Sequence, residues 1–209
     1  MSSPHTIPST NSSNFMGINR RDRNREHWFV MNTYTRSNDR VETLLGNARD
    51  VAYFIPKQYA VRTFNGASRR VLVPLIPHMF FMRGSYEDVD SFQKDTSLIG
   101  FATATYEGRR TIIQVPDHQM DNFIKVVSHY EDDLTYYRPE EITLKPGQYI
   151  KIIGGRYNGI KGELLSQRGK RGKRLVARIP RIMAVATTVI EPEYIQLITE
   201  EEYLQDCAM

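Results

Sequence analysis

The sequence predicts an α+β protein: an antiparallel sheet flanked by helices, followed by a small five-stranded β-barrel. Three observations predict it. Over residues 27–129 short strand-like runs interleave with amphipathic helical segments, without the repeated βα units that a parallel barrel needs. From about residue 144 onward, short apolar runs recur at the turn spacing of a small all-β unit. Between them lies a polar, charged stretch, residues 130–143, that reads as a connector.

Each element follows from local chemistry. Residues 1–26 open with Ser, Asn, Thr and Pro and hold no charge before Arg20, so they read as a flexible tail and lack the basic-then-apolar order of a secretory signal. His27–Thr33 is aromatic and β-branched and predicts a buried strand. Ser37 or Asn38 can cap a helix whose Val41, Leu44 and Leu45 recur at helical spacing until Gly46. Four further strand-like runs follow at 51–56, 59–64, 69–73 and 78–83, and Asn65-Gly66 predicts a tight hairpin turn between the second and third. Residues 85–94 predict a second helix and 111–115 a strand. Pro116-Asp117 then opens a third helix with Met120, Phe123, Ile124 and Val127 on one face. In the back unit the expected strands are 150–153, 162–166, 174–179, 185–190 and 195–198, and residues 200–209 read as an acidic tail.

Composition narrows the function classes. With 209 residues, 40% hydrophobic and 11% aromatic, the chain can bury cores but cannot form a large multidomain machine. No run approaches the roughly 20 apolar residues of a membrane-spanning helix. The single cysteine, Cys207, excludes an intrachain disulfide framework, and the cytoplasm is the expected compartment. The five histidines show no metal-ligand spacing, and neither HExxH nor GxSxG occurs. Asp132-Asp133 are adjacent in a polar stretch with no pocket to separate their pKa values. Gly154 and Gly159 have phosphate-loop separation, but Ile160 stands where Lys is needed and Gly162 where Ser or Thr is needed. The expectation is a non-enzyme without cofactor or metal.

The densest local signal is KPGQYIKIIGGRYNGIKGE, residues 145–163, in which Gly154, Gly155, Gly159 and Gly162 surround Tyr157. Glycines at that density allow positive φ and close backbone approach, as a tight barrel corner requires. This string resembles the KOW motif of the NusG family of transcription elongation factors and of certain ribosomal proteins. Trp28-Phe29-Val30, then Tyr34, a capped helix and PLIPHMFFMRG at 74–84, resemble the NusG N-terminal (NGN) domain. The order, NGN-like then KOW-like, is more specific than either motif alone. Within the family the HWFVM opening and LIPHMFF look most like the UpxY-type regulators of bacterial polysaccharide operons. One departure stands out: the family pattern has Pro-Gly-aromatic where this chain has Pro77-His78-Met79.

The resemblance implies a monomeric regulator that binds RNA polymerase and promotes processive, antiterminated transcription of such an operon. The positions matching the apolar patch that docks on the polymerase clamp helices are Tyr34, Ile76, Pro77 and Met79, with plain core packing as the competing role for Ile76 and Met79. Trp28, inside the first strand, is assigned to the core. Arg36, Asn38 and Arg40 match a region that reads non-template DNA in some relatives, against ordinary helix-surface charge. The net charge of +4 is concentrated in residues 161–181, where eight cations, among them Arg168, Lys170, Arg171, Lys173 and Arg174, face the single acid Glu163. Such a segment can contact phosphates of nascent RNA or ribosomal RNA, or be a solvated hairpin tip. The KOW-like unit would recruit the ribosome or RNA. The alternative is a ribosome-associated RNA-binding protein carrying a KOW domain.

Overall fold

A computed structural model describes residues 25–35, 38–48, 51–106, 108–128, 134–137, 148–165, 174–179, 183–187 and 190–205. The front unit is built on β1 (His27–Thr33), which lies inside an antiparallel sheet. On one side it pairs with β5 (Met79–Gly84), and β5 pairs in turn with β2 (Ala52–Phe54). On the other side β1 pairs with β6 (Ile99–Phe101) through Met31–Thr33 and with β9 (Gln114–Val115) through Trp28 and Phe29. Two hairpins leave this sheet: β3 (Lys57–Phe64) with β4 (Ala67–Pro74), and β7 (Thr103–Tyr106) with β8 (Arg109–Ile112). Asn65 and Gly66 both take positive φ, 49° and 81°, the two left-handed residues that a two-residue hairpin turn demands.

Because side chains alternate along a strand, β1 and β5 feed two cores. Phe29, Met31, Phe80 and Met82 pack with Val41 and Leu45 of α1 (Asn38–Gly46) and with Val89 of α2 (Tyr86–Lys94). The α2 start is fixed by Ser85, whose hydroxyl accepts from the Asp88 amide at 3.1 Å. Trp28, Val30, Phe81 and Val115 face the other way, onto Met120, Phe123, Val126 and Val127 of α3 (Asp117–Val127). Trp28 is buried, as its position in the strand predicts.

The back unit corrects the expected five-stranded barrel. It is a six-stranded antiparallel sheet ordered β10-β14-β13-β12-β11-β15, and among the described residues no pairing joins β10 to β15 to close it. Four strands fall within a residue of the apolar runs, β11 (Tyr149–Ile152), β12 (Lys161–Leu165), β13 (Arg174–Ile179) and β15 (Ile195–Ile198), whereas β14 (Met183–Ala186) begins two residues before the expected 185–190 and shares only residues 185 and 186 with it. The sixth, β10 (Thr135–Tyr137), comes from the stretch expected as a connector and pairs with β14. Leu134 and Tyr136 supply the reason, packing against the main core, and burial pushes the Tyr136 phenol up to about 12.

The expected acidic tail also begins as structure. Residues Glu200–Leu204 form α4, closed by a capping box in which Thr199 accepts from the Glu202 amide at 3.1 Å and Glu202 accepts from the Thr199 amide at 2.8 Å. Tyr203 of α4 stacks on Tyr149 at 4.6 Å and meets the edge of His118 at 5.8 Å.

Helix α3 joins the two units. Its apolar face belongs to the same core as Ile150, Ile152, Ile160, Leu175, Ala177 and Val185, and it packs on β13 and β14 as well as β1. Asn122 Oδ1 accepts from the Lys161 amide at 3.3 Å across that junction. No described helix is long and apolar enough to cross a membrane.

Candidate interaction surface

The residues matched to a polymerase patch gather at the end of the front sheet where β1 leaves and β5 enters. The Tyr34 amide donates to Leu98 O at 2.8 Å and the Thr33 amide to His78 O at 2.9 Å, so the Tyr34 turn and the Pro77-His78 turn are backbone neighbours. Tyr34 is 67% exposed. Its ring lies across β6, and a Cβ at Gly100 would stand 2.5 Å from the Tyr34 hydroxyl, so only glycine admits this pose. Pro77 is exposed, whereas Ile76 and Met79 are half-buried against the main core.

The four side chains do not share one cleft. Ile76 and Met79 line a small cavity of about 20 Å³ together with Thr33, Val41, Ile55 and His78. Tyr34 borders a separate, open concavity with Gln93, Lys94, Thr96 and Phe101. The surface is therefore a ridge bearing Tyr34 and Pro77, with the half-buried Ile76 and Met79 behind it.

His78 explains the departure from the family pattern. Its φ is +61°, a left-handed conformation that glycine takes without strain and that a side chain other than Asn, Asp or His adopts rarely. Since His78 is exposed, His78→Gly should leave the fold intact and change stability by no more than about 1 kcal/mol, with relief of strain offsetting glycine's added unfolded-state freedom. Urea unfolding of the two proteins checks this, and a loss well above that figure would mean the imidazole itself holds the turn.

The basic candidates are placed only in part. Arg36, Arg168, Lys170, Arg171 and Lys173 lie outside the described residues. Asn38 opens α1 and Arg174 opens β13, and the Arg40 side chain is exposed on α1. Lys161 is half-buried and tied to α4 at the surface, its Nζ donating to the Glu202 carbonyl at 2.7 Å.

In the glycine-rich segment packing accounts for two glycines and backbone conformation for two. A Cβ at Gly154 would run into the Tyr194 ring, and one at Gly162 would stand 2.6 Å from the Val176 carbonyl of the neighbouring strand. Gly155 and Gly159 take φ of +66° and +83°, framing a 3-10 turn that buries Tyr157. Among the described residues no group of three or more His, Cys, Asp or Glu side chains is placed to hold a metal ion.

The β3–β4 hairpin was expected from its Asn65-Gly66 turn; what sequence reasoning missed is its one-signed charge on a ribbon whose residues 61–70 are all exposed. Its signal was present: residues 57–74 carry four cations and no acid.

No curated protein matches the chain. Among solved structures it is similar to that of NusG from Thermotoga maritima, described as showing domain interaction, with 17% identity, 83% of this chain and 98% of that chain covered, and a TM-score of 0.39. Residues 26–124 match the model of the family described as NusG, transcription termination factor nusG, so the front unit, from β1 into α3, is similar to a NusG-family domain.

Proposed function

We propose that this protein is a transcription elongation regulator that binds RNA polymerase through the Tyr34 ridge of its front unit. The observation that carries this reading is a large aromatic side chain, Tyr34, that stands 67% exposed with its ring over Gly100, on the unit that matches the NusG family. An exposed tyrosine next to proline, with methionine and isoleucine behind, gives a contact surface rich in area and adaptable in shape, which suits a helical partner.

No covalent step is required of it. A factor that binds the processive conformation of polymerase better than the paused one by about 1–2 kcal/mol shifts readthrough roughly five- to thirty-fold. On this reading residues 27–129 bind polymerase, residues 130–143 join the units while contributing β10, and residues 144–199 engage a second partner such as nascent RNA or the ribosome, with residues 1–26 and 200–209 flanking them. The KOW-like reading of 145–163, the UpxY-type specialisation and a polysaccharide operon as target belong to the same proposal and rest on the motifs quoted above.

Immobilised full-length protein should retain core RNA polymerase, and its addition to a transcription reaction on a terminator-bearing template should raise the full-length product. Failure to retain polymerase would sink the proposal and leave the ribosome-associated RNA-binding alternative.

A further inference from the structure

A groove of about 290 Å³ runs between the C-terminal end of α1 and α2. Its floor is apolar: Val51 and Phe92, both half-buried against the core that α1 and α2 share, with Ala48 beside them. Its rim is acidic, because Asp88 and Asp95 stand two helical turns apart on one side of α2, a separation of about 10 Å. Neither carboxylate has an ion pair among the described residues, and Lys94, the cation of α2, is drawn instead to Asp90 at 2.7 Å. The last turn of α1 holds no basic residue, so the negative end of that helix adds to the same field. Arg49 and Asp50, between Ala48 and Val51, cancel in charge.

Strand β1 begins at the mouth of this groove. Its first residue, His27, pairs with Gly84, and a Cβ at Gly84 would stand 2.9 Å from Val51 and 3.3 Å from Val89. The His27 ring turns toward the same core, edge-on to Phe29 at 6.2 Å, and its buried Nε2 has no hydrogen-bond partner among the described residues. Arg25, just upstream of β1, is exposed. The chain that precedes β1 therefore starts within a few residues' length of Asp88. Its sequence over 18–25 is INRRDRNR, with Arg20, Arg21, Arg23 and Arg25 against the single acid Asp22. Arg21, Arg23 and Arg25 recur with period two, which in an extended chain would put all three on one side over about 13 Å. That span matches the acidic rim.

We propose that the groove is the docking site of this chain's own residues 18–25, with the period-two arginines pairing to Asp88 and Asp95 and their methylene stems, together with Ile18, covering Val51 and Phe92. Charge complementarity selects the occupant, since an acidic rim without cations calls for a basic segment. Tethering selects this one: it is joined directly to the mouth of the groove, so its effective concentration there is high and the association cost borne by a free peptide is avoided. Arginine suits the place because its stem lies along apolar surface while the guanidinium forks onto a carboxylate.

Trypsin cleavage of the full-length protein after Arg20, Arg21 and Arg23, followed by mass spectrometry, tests this against a synthetic peptide of residues 13–27 under the same conditions. Docked arginines are withheld from the protease, so cleavage in the protein should be about 5- to 30-fold slower than in the peptide at low salt. Asp88→Asn with Asp95→Asn should bring the two rates within about twofold of each other. Salt at about 1 M should do the same, because screening then acts within about 3 Å. Asparagine keeps an acceptor for the Ser85 hydroxyl that donates to Asp88, so circular dichroism of the variant should stay native. Glu191→Gln with Glu193→Gln, exposed acids of the back unit, should leave the protection as it is. The proposal is overturned by a protein cut as fast as the peptide, by protection that survives the asparagine pair, or by protection lost equally in the glutamine pair. Protection that rises with protein concentration also overturns it, because a second copy then fills the groove. Polymerase plays no part in these readouts, so this docking and the elongation reading fail independently.

Discussion

Phe123→Ala should destabilise the protein by about 3–5 kcal/mol, a large share of the stability of an ordinary domain. Phe123 is fully buried, and its ring meets Phe81 of β5 edge-on at 5.8 Å and Phe54 of β2 at 6.3 Å. Removing the ring forfeits the transfer free energy of the side chain, two edge-to-face contacts and the packing around the cavity left behind. The site has little room to collapse, because α3 is held from two directions, by β1 on one side and by β13 and β14 on the other. Phe123→Leu keeps a branched apolar side chain and should lose less than half as much. Urea unfolding followed by tryptophan fluorescence is a suitable readout, since Trp28, the only tryptophan, belongs to the same core. A loss below about 1 kcal/mol for the alanine variant would mean that α3 is not the joint of the two units.

What the sequence made legible, and what it hid, follows from the range of the interactions involved. The β3–β4 hairpin was readable because Asn65-Gly66 is a local signal that fixes both turn and register. Even the opposition of Arg62 and Arg69 is contained in that two-residue turn, which pairs Phe64 with Ala67, Thr63 with Ser68 and then the arginines. Helix α3 was readable from its apolar face, but nothing local says that this face serves two sheets. Strand β10 was hidden because its three residues sit among acids and prolines, and only its pairing with β14 makes it a strand. Strands β6 and β7 were missed because Gly100 and the single-residue break at Ala102 interrupt any period-two pattern. Helix α4 carried a readable signal in Thr199-Glu200-Glu201-Glu202, a capping box that the density of acids disguised as a tail. At the ridge, the position of Tyr34 just past β1 already suggested exposure, whereas Met79 shares the strand face of Phe81 and is half-buried against the main core. The left-handed turn at His78 carries no glycine to mark it, and its one signal is that His78 stands where the family pattern has glycine.

Tyr34→Ala should weaken core polymerase binding by at least about 30-fold, the loss of a 2 kcal/mol hot spot, while leaving stability within about 0.5 kcal/mol of the parent. The two effects separate because Tyr34 is 67% exposed and its backbone bond to Leu98 survives the substitution. Any lost affinity then reports the missing ring and not a disturbed fold. Adding Met79→Ala should deepen the defect beyond 100-fold, since a deletion behind the ridge removes its support. Met79 is half-buried against the main core, however, so the double variant should also lose roughly 1–2 kcal/mol of stability. The single variant is therefore the decisive one, and the double variant is read only after unfolding curves show that it is folded at the assay temperature. Leu197→Ala provides the contrast: Leu197 is 69% exposed on β15 of the back unit, so its loss should leave polymerase affinity unchanged. If Tyr34→Ala binds as the parent does, the ridge is not the contact. If Leu197→Ala weakens binding as much as Tyr34→Ala, the contact extends over the back sheet and is not confined to the front unit. The proposed division of labour between the two units depends on the first variant failing while the second does not.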